Sequence, residues 1–99
     1  MVTGGRSAVV TGAAGGLGRA LTRRLAAEGY RVIGLDRDVD GLERLARESD
    51  ATTKVCDLAD GAACERIADE LGPVDLLINN AGITQFSRFD AMAPETLRQ

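Results

Sequence analysis

Residues 9–18 read VVTGAAGGLG: an apolar run, a threonine, and then four glycines among the eight residues from Thr11 to Gly18. Glycine costs of order 0.5–1 kcal/mol at a helix or strand position, so a cluster of them at one junction has a local reason. An anion supplies one. Where a strand runs into a helix, the first amide N–H groups of the helix lack internal partners and carry the positive end of its dipole. With no side chains in the way, they cradle a phosphate. In that geometry Gly12 allows the tight turn, Gly16 lets the backbone approach a pyrophosphate, and Gly18 lets the helix pack closely on its strand. A glycine-rich turn without a ligand is the alternative that this stretch alone leaves open.

On either side of the loop the pattern alternates strand and helix. Ser7 to Thr11 is apolar enough for a strand. From Leu17 to Glu28 the apolar residues Leu17, Ala20, Leu21 and Leu25 fall at helical spacing, with Arg19 and Arg23 on another face, and Gly29 stops the helix. YRVIGL, Tyr30 to Leu35, reads as a second strand ending in Asp36. A second helix follows from Val39 to Glu48, with Leu42, Leu45 and Ala46 inward and Asp38 as its cap. Thr52 to Cys56 is a third strand. Asp60 caps a third helix with apolar positions Ala63, Ile67 and Leu71, which stops at Gly72-Pro73; VDLLI, Val74 to Ile78, is the fourth strand. Beyond Asn79 a loop leads to Pro94, a favoured first helical residue. Strands alternating with short helices imply βαβ units, right-handed crossovers and an α/β, doubly wound parallel sheet of the Rossmann type with about four strands.

The chain has 99 residues, enough for one domain; 44% are hydrophobic and 27% charged, the balance of a folded globular protein. Net charge is −3 and only 3% of residues are aromatic, so neither a basic stripe nor a stacking platform for nucleic acid is present. No apolar run approaches the ~20 residues of a membrane span, and MVTGGRSAVV lacks the apolar stretch of a signal peptide, so a cytoplasmic location is expected. Cys56 and Cys64 fit no zinc spacing and there is no histidine, so no metal is expected. Both cysteines read as reduced, half-buried small hydrophobes.

Two further features carry chemistry. Asp36 stands eighteen positions after Gly18, at the end of the second strand, where a dinucleotide fold sets a carboxylate against the ribose hydroxyls of the adenosine half. Such a carboxylate repels a 2′-phosphate, which favours NAD over NADP. Arg37 beside it can pair with a 2′-phosphate, but the loop offers Gly15 rather than a basic residue, so NADP has no second handle. The other feature is NNAG, Asn79 to Gly82, directly after the fourth strand, at the carboxyl edge where ligands of open α/β sheets bind. Asparagines are poor strand formers and supply amide hydrogen bonds there.

TGAAGGLG, Asp36, the CDL of Cys56 to Leu58 and NNAG at this spacing together resemble the short-chain dehydrogenase/reductase family along nearly the whole chain. The resemblance implies an NAD-dependent oxidoreductase. The backbone of Gly12, Ala14, Gly15, Gly16, Leu17 and Gly18 would hold the pyrophosphate, with Asp36 and Arg37 at the adenine ribose. Asp57 and Leu58 would border the adenine, and Asn80, Ala81 and Gly82 would line the middle of the cofactor. It also implies a small alcohol or carbonyl substrate and a homo-oligomeric complete enzyme. The family's acid/base is a tyrosine whose pKa is lowered by a lysine four residues on, aided by a serine and an asparagine. Here Tyr30 is followed four residues later by Gly34, the one lysine is Lys54, and Ser7, Ser49 and Ser87 lie in no matching motif. No catalytic residue is therefore expected within residues 1–99, which correspond to the amino-terminal cofactor-binding part, ending before the catalytic segment. Thr84, Gln85 and Phe86 read as loop residues. A non-catalytic nucleotide-binding or partner-binding module is the alternative, with the outer edge of the fourth strand then expected to be open. An S-adenosylmethionine-dependent methyltransferase fits less well, because of NNAG and the TG before the loop.

Overall fold

The structure, a computed structural model, describes residues 6–81 and 95–98. Its elements run β1 (Ser7–Thr11), α1 (Gly16–Ala27), β2 (Arg31–Asp36), α2 (Val39–Glu48), β3 (Thr52–Val55), α3 (Gly61–Leu71), β4 (Leu76–Asn79) and β5 (Glu95–Arg98). The strands form one sheet in the order β3-β2-β1-β4-β5, with every pairing parallel. Strand order reverses beside β1, so the carboxyl ends of β1, β2 and β4 converge on one crevice.

The central strands are apolar on both faces because helices cover both. Ala8, Val10, Val32, Leu76 and Ile78 pack with Leu25 of α1 and with Leu42 and Leu45 of α2. Val9, Ile33, Leu35 and Leu77 face the other way, onto Cys64, Ile67 and Ala68 of α3. The helix starts follow the sequence: the Asp38 carboxylate accepts from the Gly41 N–H at 3.0 Å, and that of Asp60 accepts from the Ala62 and Ala63 N–H groups at 3.0 and 3.2 Å. At the entry to β4, Asp75 accepts from the Ser7 N–H at 2.8 Å while its own N–H donates to the Ser7 carbonyl at 3.1 Å, which sets the β1/β4 register.

Four expectations change. In α1, Leu17 and Ala20 are exposed; the buried face is Gly18, Thr22 and Leu25, with Leu21 half-buried beside it. Thr22 takes its place there because its hydroxyl donates to the Gly18 carbonyl at 2.8 Å and so buries no unmet polar group. In α2, Ala46 is exposed and Gly41 is buried in its stead. Both cysteines are fully buried rather than half-buried. Finally, residues 95–98 form a strand where the sequence suggested a helix beginning at Pro94, and β5 pairs along the outer edge of β4 that was expected to be open. The outer edge of β4 offers a ladder of backbone groups, and residues 95–98 pair with it.

Candidate functional site

The glycine loop is shaped by contacts beneath it and left open above. Gly12 turns the chain at φ 65°, in the left-handed region, and a Cβ added there would come within 3.1 Å of Asn80 Nδ2 and 3.3 Å of Ala81 Cα. At Gly18 a Cβ would lie 2.1 Å from the Gly12 carbonyl oxygen and 2.7 Å from Ala13 Cα, so helix α1 sits against the loop at a distance only glycine permits. Gly16 is the opposite case, with nothing within 4 Å of the Cβ position. Gly15 caps α1 without a side-chain hydrogen bond, and no acidic residue stands in the first turn. The N–H groups of that turn have no intrahelical partner and face no carboxylate of their own helix, which suits an anion. On the same stretch Leu17 is 59% exposed, and Arg19 Nε is buried with no hydrogen-bond partner.

Thr11 joins this loop to NNAG. Its fully buried hydroxyl accepts from the Ala81 N–H at 3.0 Å and lies 3.4 Å from the Ile78 carbonyl and 3.3 Å from Asn79 Oδ1, either of which can take its single proton. Asn80 Nδ2 donates to the Gly12 carbonyl at 3.3 Å. The two motifs, about seventy residues apart in sequence, are thus one hydrogen-bonded unit. Replacing Thr11 with valine keeps the shape and strands the Ala81 N–H, so an equilibrium urea melt should record a loss of about 1–3 kcal/mol. A midpoint unchanged from wild type would mean that solvent satisfies Ala81 instead.

Asp36 holds the other wall. Its Oδ2 accepts from the Ala14 N–H at 3.0 Å and its Oδ1 from the Asp38 N–H at 3.1 Å, so the carboxylate is fixed against the loop while each oxygen keeps a second lone pair. Beside it opens a cleft of about 190 Å³ lined by Gly12, Asp36, Arg37, Cys56, Asp57, Leu58, Ala59 and Ala81. That is less than the ~300–1,000 Å³ of a whole ligand site, so the cleft admits one end of an extended ligand. In its wall the Asp57 carboxylate accepts from the Ala59 N–H at 3.0 Å, and the Cys56 N–H donates to the Asp36 carbonyl at 2.9 Å. Burial, reinforced by the neighbouring Cys64, pushes the Cys56 thiol up to about 12, which keeps it protonated at neutral pH.

Of the residues singled out from sequence, Gly12, Asp36, Arg37, Asp57, Leu58 and Ala81 meet in this cleft. Ala14 and Asn80 reach it through their hydrogen bonds, and Gly15, Gly16, Leu17 and Gly18 make up the loop and first turn that border it. Gly82, with Thr84, Gln85 and Phe86, lies outside the described residues. The sequence reading missed Thr11 as the joint between the motifs, Asp75 as the register pin, and Cys56 and Ala59 as parts of the wall. A threonine in an otherwise apolar buried strand was the available signal for the first. Among the described residues, no group of three histidine, cysteine, aspartate or glutamate side chains is placed to hold a metal, and no helix is long and apolar enough to cross a membrane.

Comparison with known proteins follows the same line. The family model for short chain dehydrogenase matches residues 6–99. L-xylulose reductase of Bos taurus is 44% identical over 86 residues, a match that takes in 86% of this chain and 35% of the relative. Among solved structures, a metagenomic short-chain oxidoreductase in complex with NADP superposes with a TM-score of 0.73 at 38% identity, over 79% of this chain and 39% of that one. An actinorhodin polyketide ketoreductase with NADPH gives a TM-score of 0.71 at 35% identity, over 84% and 36% of the two chains. The chain thus spans little more than a third of the length of the curated relatives it matches.

Proposed function

This chain belongs to the short-chain dehydrogenase family, and on that footing we propose that it is the dinucleotide-binding part of an NAD-dependent oxidoreductase acting on a small alcohol or carbonyl compound. The observation that carries the reading is the Asp36 carboxylate, held by two backbone N–H groups at the edge of the cleft with lone pairs to spare. A vicinal diol is its natural complement, because each hydroxyl can donate to a separate acceptor. The first turn of α1 offers N–H groups and dipole to the pyrophosphate, and the open space over Gly16 lets it approach. Asp57, Leu58 and Ala59 form the wall where the adenine lies, and Asn80 and Ala81 border the path toward the nicotinamide.

The bound dinucleotide supplies the hydride chemistry. The residues of this chain bind and orient it, and no described side chain combines a tyrosine with a lysine in the way the family's proton transfer needs. The cytoplasmic location and the homo-oligomeric assembly expected from the sequence belong to this same proposal.

A second reading, NADP, has its own support. Arg37 lines the cleft next to Asp36, and two of the similar structures were solved with NADP or NADPH. The two differ by one phosphate, so titration calorimetry of the full-length protein separates them. NAD should bind at least about tenfold more tightly than NADP, the effect of a dianion set against a fixed carboxylate. The reverse order would make Arg37 the dominant contact, and absence of binding by either would overturn the dinucleotide reading.

A further inference from the structure

We propose that Cys56 and Cys64 form a reversible disulfide behind the base end of the cleft, and that a bound dinucleotide shields the pair from oxidation. The second clause rests on the function proposed above; the first does not.

Cys56 follows β3 and Cys64 lies in the opening turn of α3, and their sulfurs stand 4.0 Å apart with both residues 2% exposed. A disulfide bond is about 2.05 Å long, so the sulfurs need to close by roughly 2 Å. The bond would close the loop formed by residues 57–63, which contains Asp57, Leu58 and Ala59 of the cleft wall. Cys64 Sγ also donates a hydrogen bond to the Leu58 carbonyl at 3.8 Å. Oxidation removes that donor, so the wall loses a tether at the same moment that its two ends are drawn together.

Cys56 is a lining residue of the cleft but only 2% exposed, so in this proposal the oxidant enters from the cleft as the wall opens. The oxidant is a peroxide. The Cys56 thiolate attacks the O–O bond and becomes a sulfenic acid as hydroxide leaves. The Cys64 thiolate then attacks that sulfur, the S–S bond forms, the S–O bond breaks, and the oxygen departs as water. Two thiols and one hydrogen peroxide give one disulfide and two waters, a two-electron exchange that a small thiol reductant reverses. The reacting species is the thiolate, so the reaction accelerates as pH rises, and burial keeps it slow at neutral pH.

Trypsin cleavage after Lys54 and Arg66 releases both cysteines in one peptide, residues 55–66, so the disulfide reads as the loss of two hydrogen atoms whatever other cysteines the full-length protein contains. The test treats the folded full-length protein with hydrogen peroxide, with and without saturating NAD, and then measures this peptide and the NAD dissociation constant. The oxidised peptide should accumulate about tenfold more slowly with NAD present, and the oxidised protein should bind NAD about tenfold more weakly until dithiothreitol restores it. Cys64→Ser keeps a donor for the Leu58 carbonyl, so it should bind NAD normally and form no disulfide in peroxide. A peptide that stays reduced in the folded protein while the urea-unfolded protein oxidises overturns the disulfide. A disulfide that forms at the same rate with NAD bound and leaves affinity unchanged overturns the coupling. If NAD fails to bind even the reduced protein, the functional reading falls, and the peptide mass alone decides the disulfide.

Discussion

Gly18→Ala is expected to destabilise the protein by about 3 kcal/mol or more, beyond the usual 1–3 kcal/mol of overpacking, because what the new methyl meets is backbone. The Cβ would lie 2.1 Å from the Gly12 carbonyl oxygen, 2.9 Å from its carbon and 2.7 Å from Ala13 Cα. No rotamer change relieves such a contact; either α1 moves away from β1 or the loop deforms. Against a typical total of ~5–15 kcal/mol, the shift should be plain in an equilibrium urea melt of the full-length protein. Gly16→Ala is the matched control. Its Cβ meets nothing within 4 Å, so it should leave the melt nearly unchanged and weaken only dinucleotide binding. If Gly18→Ala melts like wild type, the close approach of helix to loop is not required by the fold. If Gly16→Ala binds NAD normally, the pyrophosphate does not approach the backbone there.

The second large effect is expected at Asp36. Asp36→Ala should weaken NAD binding at least about tenfold while leaving adenine binding unchanged, since only the ribose hydroxyls lose their acceptor. The variant should also narrow or reverse the preference against NADP. Two unit charges about 4 Å apart repel by roughly 1–4 kcal/mol between bulk water and a protein surface, and removal of the carboxylate leaves Arg37 to face the 2′-phosphate alone. Some stability is lost as well, because the Ala14 N–H is part-buried and loses its acceptor at about 1–3 kcal/mol. Calorimetric titration of NAD, NADP and adenine, with a urea melt alongside, separates the two effects. An unchanged NAD dissociation constant would remove Asp36 from the site.

Much of this was legible in the sequence because the relevant physics is local. Asp38 and Asp60 announced their helices because a short carboxylate side chain finds the free N–H groups of the next turn. Asp36 was visible because strand β2 ends where the apolar run ends. The helix faces were less legible. Hydrophobicity along α1 pointed to Leu17 and Ala20, yet the buried stripe runs through Gly18 and Thr22. Glycine carries no hydrophobic signal although its smallness is what lets the helix approach, and Thr22 is buried at little cost only because its hydroxyl bonds back to Gly18. Ala46 and Gly41 in α2 repeat the pattern.

The sequence by itself determined the order of strands and helices as far as β4, the parallel sheet, the glycine loop and the carboxylate at its side, since each follows from periodicity, capping and backbone freedom within a few residues. Only the tertiary structure decided how those pieces meet. Thr11 joins motifs some seventy residues apart, Asp75 sets the register of β4, and residues 95–98 complete the edge of β4 as a strand. These are contacts between segments remote in the chain. Their partners are selected by backbone groups left unpaired when the sheet assembles, and no local pattern records where those groups will lie.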